Sequence, residues 1–192
     1  MKRNYFLAVI SVVAATALTL GACTTTSSST GPDAASARTE IDTGAAAALS
    51  KLYAEVQGSK EMVSKAKGVL VIPRVVSAGL IVGGSRGQGE LLIDGRPSGY
   101  YSATGASVGV VVGAQSKDVF VLFMTNEALT RFQASRGWTA GVDGSVALLK
   151  VGASGSVDTE TARHEVIGFV LSNGGLMADL SFEGTKVSKL DL

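Results

Sequence analysis

Two serines sit in the pattern Gly-x-Ser-x-Gly: Ser85 within GGSRG at 83–87 and Ser107 within GASVG at 105–109. That pattern can hold a nucleophile on a sharp strand-to-helix turn, with a histidine to take its proton and a carboxylate to orient the histidine. His164 is the sole histidine, and Asp118, Asp143 or Asp158 would give the chain order Ser, Asp, His. Neither match leads into an amphipathic helix, however, and Ser107 lies in a strand-like run. In a chain with 24 glycines the pattern arises readily by chance. A small serine hydrolase is therefore the minor alternative, and the chain is expected not to be an enzyme. Phosphate chemistry fares no better. GSRGQG at 84–89 lacks the Lys-Ser/Thr of a P-loop, and GQGELL at 87–92 lacks the third glycine of a dinucleotide fingerprint. Those glycines suit a hairpin or a bulged strand pair, where missing side chains permit twist and close backbone approach. One histidine and one cysteine cannot build a multi-histidine metal site or an internal disulfide. No metal or cofactor is expected.

The single cysteine has another chemistry open to it. Residues 1–20 read MKRNYFLAVISVVAATALTL, with Lys2 and Arg3 followed by an uncharged apolar run of 16 residues at 5–20. That run is shorter than the roughly 20 residues a membrane-spanning helix needs. It leads into Leu20-Gly21-Ala22-Cys23, which resembles the lipobox of bacterial lipoproteins. In that motif the thiol receives a diacylglyceryl group and the cysteine becomes the new N-terminus. Residues 1–22 are then a signal peptide and Cys23 is the lipidation site, while an uncleaved anchor or a simple secretory signal with an incidental cysteine is the alternative. Acyl chains contribute about 0.8 kcal/mol per buried CH₂, so two or more hold a protein durably on a bilayer. Thr24 stands where an aspartate would, by resemblance to enteric lipoproteins, favour inner-membrane retention. The expected location is the outer membrane of a Gram-negative envelope, facing the periplasm.

A third constellation is basic. Lys60, Lys65, Lys67 and Arg74 fall within a short span relieved only by Glu61. Just before them, Leu49, Leu52, Tyr53 and Val56 recur at i, i+3, i+4 and i+7, one stripe of a helix over 45–56. Cations beside an apolar stripe can rest on an anionic bilayer, each contributing about 1 kcal/mol near the headgroups. A solvated helix face, with the stripe packed as core, explains the same residues.

The elements that must position these groups follow from periodicity. Residues 24–43, TTTSSSTGPDAASARTEIDT, carry almost no large apolar side chain, so a lipidated cysteine and flexible tether are expected over 23–43. After the helix at 45–56, Gly58 interrupts, and Ser59 can cap a second helix that Gly68 ends. Strand-like runs then recur at 68–72, 78–82, 90–93, 100–103, 107–112, 119–124, 145–151, 166–171 and 176–182, with one helix over 126–134 capped by Asn126. No long helix alternates with the strands. The expected fold is therefore α+β, a curved antiparallel sheet closing into a sandwich or partial barrel. The strand runs look shorter than the roughly 9 to 11 residues of a membrane barrel, and the aromatics are too scattered for two girdles. With 46% apolar and 17% charged residues, the body is not disordered. Removing Lys2 and Arg3 with the leader leaves 15 basic against 16 acidic side chains, which is no field for nucleic acid.

AKGVLVIP at 66–73, AGLIVGG at 78–84, Gly89, SVGVVVGAQS at 107–116, FMTNEALTRF at 123–132, VDGSVA at 142–147, GASG at 152–155, GGLMA at 174–178 and LSFEGT at 180–185 follow one another along the chain. Together these ordered motifs resemble the SYLF family, also called the Ysc-type actin-binding domain, and its bacterial lipoprotein branch in particular. The resemblance spans about 45–192, and domain boundaries are set at 1–22, 23–43 and 44–192. It implies a non-enzymatic domain that binds anionic phospholipid headgroups, as eukaryotic members bind phosphoinositides. Carried over by position, Leu49, Lys51, Leu52, Tyr53 and Val56 form an amphipathic membrane or packing helix. Lys51, Lys60, Lys65, Lys67 and Arg74 are the implied headgroup contacts. The helix departs from the family in being mostly alanine. Some members bundle actin, a partner that an exported bacterial protein does not meet. A structural or protein-interaction lipoprotein without lipid affinity is the alternative reading.

Overall fold

The computed structural model describes residues 32–79, 82–108, 114–148, 163–172, 175–176 and 184–192. The leader, Cys23 and Asp158 lie outside the described residues. The elements in chain order are α1 (Pro32–Glu55), α2 (Ser59–Lys65), β1 (Gly68–Gly79), β2 (Val82–Ile93), β3 (Arg96–Val108), β4 (Ala114–Phe123), α3 (Asn126–Ala134), β5 (Trp138–Thr139), β6 (Ala147–Leu148), β7 (Val166–Ser172), β8 (Gly175–Leu176) and β9 (Lys186–Leu190). The strands form one curled sheet, a half-barrel in the order β5-β9-β3-β2-β1-β4-β7-β6, with β8 paired to β7. The expected α+β class and curved sheet are what is found. One pairing is not antiparallel: β6 runs parallel to β7 through Ala147↔Ile167 and Leu148↔Gly168. Such a pair needs a long connection, and residues 149–165 supply the length.

The run at 68–72 has no polar alternation because both faces of β1 are covered. Val69 and Val71 join Phe120, Leu122, Ile167, Phe169 and Leu171 in a cluster that α1 and α2 roof with Ala45, Ala48, Leu52, Val56 and Met62. Leu70 and Ile72 face the other way, into a cluster with Leu91, Tyr101, Val121, Phe123 and the α3 side chains Leu129 and Phe132. Within that second cluster Phe132 stacks near Tyr101, Phe123 and Trp138, at centroid distances of 5.0, 4.7 and 5.7 Å. The sheet is thus the middle layer of three.

Several boundaries differ from the reading by periodicity. Strands β1 to β4 span 12, 12, 13 and 10 residues, longer than expected. Glycines that look like breaks lie inside the ladder instead. A Cβ on Gly89 would sit 2.0 Å from the Val71 carbonyl oxygen, so only glycine admits the close approach of β2 to β1 there. The register of β1 shifts between Ile72 and Val75, where Arg74 takes φ 51 after Pro73, and its N–H donates to Asp118 Oδ1 at 3.0 Å. The expected strand at 78–82 is divided, its start closing β1 and Val82 opening β2. The expected tether is also partly overturned: residues 32–43 belong to α1, with Ala34 and Ile41 buried. Small residues at the contact let the helix lie close to the sheet, so little apolar bulk is needed to hold it. Two caps move by one residue. Gly58 in the left-handed region precedes α2, freeing buried Ser59 to donate to the Leu52 carbonyl at 3.1 Å. Thr125, not Asn126, caps α3, its hydroxyl accepting from the Ala128 N–H at 3.2 Å.

Candidate functional site

Helix α1 positions Leu49, Lys51, Leu52 and Tyr53, with Val56 just past its end, and the apolar stripe turns mostly inward. Leu52 and Val56 are fully buried in the roofed cluster, Leu49 packs against its edge, and Tyr53 is 36% exposed. Burial against the helix pair pushes the Tyr53 phenol above its ordinary pKa. Of the two readings of this stripe, packing holds for Leu52 and Val56, and Tyr53 alone stands at the surface.

The five cations separate by partner. Lys51 Nζ lies 3.6 Å from Asp118 Oδ2 and donates to the Ser172 carbonyl at 3.1 Å. Arg74 reaches Glu40 Oε1 on α1 at 3.2 Å. Lys65 pairs with Glu61 at 2.7 Å, one turn away on α2, and that contact holds the Glu61 carboxyl below its usual range. Lys60 and Lys67 are exposed and make no ion pair among the described residues. The Lys67 backbone N–H donates to the Phe123 carbonyl at 2.8 Å, fixing the chain where α2 enters β1.

Two grooves run along this side of the molecule. One, of about 340 Å³, lies where α1 and α2 meet the β2–β3 turn and is lined by Leu49, Tyr53, Lys60, Val63, Leu92 and Asp94 among others. It is mainly apolar, with a cation and an anion on its lining. The other, of about 800 Å³, follows α1 along the β1 bulge, where Thr39, Thr43, Lys51, Pro73, Arg74 and Asp118 line it. Its two cations are the ones already facing Asp118 and Glu40, so its charge is largely internally balanced.

The serine candidates are not assembled for catalysis. Ser85 is inside β2 opposite Gly105, and Ser107 is inside β3 opposite Gly83, so neither stands on a strand-to-helix turn. Asp118 is engaged by Arg74 and Lys51, and Asp143 Oδ2 accepts from the Thr139 N–H at 2.6 Å in a turn. His164 is exposed, just before the start of β7. Among the described residues there is no group of three or more His, Cys, Asp or Glu able to hold a metal ion.

Periodicity does not reveal a third polar group, centred on Glu90. Glu90 is 3% exposed, on the α1 face of β2, opposite Val71 of β1 and Tyr100 of β3. It hydrogen-bonds Asp42 of α1, whose Oδ1 also accepts from the Tyr100 hydroxyl at 2.9 Å. Burial first, then the bond to Asp42 and its charge, push the Glu90 carboxyl up to about 7. Its Oε2 has no hydrogen-bond partner among the described residues. The signal was a lone acid in Gly89-Glu90-Leu91-Leu92, a charge set among residues bound for the core.

Residues 104–191 match the family model described as Ysc84, Las17-binding protein actin regulator. The match runs from within β3 through β9, a shorter span than the motif resemblance, which begins near residue 45. No curated protein matches the chain.

Proposed function

We propose, from the match of residues 104–191 to the Ysc84 (SYLF) family, whose domains bind rather than catalyse, that the chain is a lipid-anchored envelope protein whose domain engages anionic phospholipid headgroups. The anchor is Cys23, acylated after removal of residues 1–22, and the location is the outer membrane facing the periplasm. The observation that carries the headgroup reading is the pair Lys60, on α2, and Lys67, just past it, both exposed and without an ion pair among the described residues, with Lys60 lining the same groove as exposed Tyr53. An aromatic ring at the surface and unpaired ammonium groups are what an interface between hydrocarbon and phosphate favours. Lys51, Lys65 and Arg74, implied as contacts by the resemblance, have anionic partners of their own and contribute less. The family description names Las17 and actin regulation; an exported chain meets neither, and actin is not proposed as a partner.

That same internal pairing favours a second reading, a structural or protein-interaction lipoprotein without lipid affinity of its own. Flotation of unacylated protein from Thr24 onward separates the two. Recovery with anionic but not neutral vesicles supports headgroup binding. No recovery with either, together with one crosslinked protein partner, supports the alternative. Intact mass of the natural product tests the anchor, and an unmodified Cys23 thiol would refute it.

A further inference from the structure

The two parts of α1 on either side of Gly44 are fastened differently. Beyond it, Ala45, Ala48, Leu52 and Val56 belong to the roofed apolar cluster. Before it, Ala34 and Ile41 are buried but lie outside that cluster, and the fastenings are polar. Arg38 donates to the Leu192 carbonyl, Glu40 pairs with Arg74, and Asp42 meets Tyr100 and Glu90. Gly44 lies against Pro73, and a Cβ there would be 3.1 Å from Pro73 Cγ. A glycine inside a helix weakens it by about 1 kcal/mol relative to alanine, which marks this position as the place where the helix divides most cheaply.

The Asp42–Glu90 contact is the unusual fastening. Two carboxyl groups bond only while one carries a proton, because like charges at that distance in a dry interface repel strongly. Among the described residues, the groups facing Glu90 offer no neutralising cation at contact. Asp42 of α1 and the Tyr100 hydroxyl of β3 surround it, Val71 of β1 is apolar, and Arg38 of α1 is committed to the Leu192 carbonyl. The orphaned Oε2 leaves an ionised Glu90 with an unmet acceptor in a buried place.

We propose that Glu90, Asp42 and Tyr100 form a proton-dependent latch that clamps residues 32–43 of α1 to the sheet and releases them when the shared proton is lost. Residues 44–56 stay docked, because apolar burial does not titrate. Glu90 ionises freely at about 4.5 when exposed and at about 7 when clamped. The clamp is therefore strongest below pH 4.5, weakens between 4.5 and 7, and changes no further above 7. For a chain anchored at Cys23, which rests on the proposed function, release would lengthen the tether. Twelve helical residues span about 18 Å and the same residues extended about 40 Å.

Hydrogen exchange of the full chain in detergent micelles at pH 5 and pH 8, corrected for intrinsic exchange, tests the latch with 44–56 as internal reference. Expected is a loss of protection over 32–43 of at least tenfold relative to 44–56, and a flat ratio in Glu90→Gln, which keeps a neutral donor toward Asp42. Asp42→Asn, which removes the opposing charge but leaves Glu90 buried, should reduce the pH slope in part and serves if Glu90→Gln does not fold. Parallel change in the two halves of the wild type, or an undiminished pH slope in a folded variant, would overturn the proposal.

Discussion

From Gly44 onward α1 is held by alanine and leucine side chains interlocked with the sheet, whereas before Gly44 it is held by an arginine, a glutamate and an aspartate reaching to a carbonyl, a guanidinium and a buried acid. One helix thus carries two kinds of attachment. The apolar part depends on shape and is indifferent to pH and salt. The polar part is nearly as well buried at Ala34 and Ile41, yet one of its three fastenings follows the protonation of a single carboxyl. The difference teaches that burial alone does not say what holds an element in place.

The largest effect should come from the apolar half. Leu52→Ala removes a fully buried side chain from a two-layer contact and should cost about 3 kcal/mol in urea unfolding. Ile41→Ala, at the polar half, should cost roughly half as much, since a site outside the main cluster collapses more easily onto the gap. Equal costs would erase the distinction. Next comes pH. Glu90 has a folded value raised to about 7, so the stability it contributes is whole below 4.5 and lost by pH 7. Raising the pH from 4.5 to 8 should lower wild-type stability by up to about 3 kcal/mol, and the loss should nearly vanish in Glu90→Gln. A wild type as stable at pH 8 as at pH 5 would break the contrast from the polar side. The smallest effect belongs to Arg74→Ala. Its pair with Glu40 is exposed, so thermal unfolding should register no more than about 0.5 kcal/mol, and less at high salt.

These two attachments were unequally legible in the chain. The stripe Leu49, Leu52, Tyr53, Val56 is visible by spacing, and its buried members are in the core. Residues 32–43 read as a tether because small and polar side chains carry no hydrophobic period, while a helix resting closely on a sheet needs little more than alanine at the contact. The central strands were legible as apolar runs, but their lengths were not, because Gly87 and Gly89 resemble breaks until β1 is laid across them. Strand β9, with Val187 its one buried residue between lysines, has too weak an alternation to stand out, yet it joins β3 to β5. In the same way, Lys51, Lys60, Lys65, Lys67 and Arg74 are one basic group by sequence. Folding brings Glu40 and Asp118 to Arg74 and Lys51 from far along the chain and leaves Lys60 and Lys67 without an ion pair among the described residues. Ion pairing across long sequence distances is invisible to spacing.

The most direct test of headgroup binding is vesicle partitioning of unacylated protein, wild type beside a Lys60→Ala/Lys67→Ala double variant and a Lys51→Ala/Arg74→Ala double variant. At about 1 kcal/mol per cation near an anionic surface, losing Lys60 and Lys67 should weaken partitioning about 30-fold. Losing the internally paired cations should weaken it only a few-fold. Equal loss in the two double variants, or no loss in either, would contradict the assignment of the membrane surface to α2.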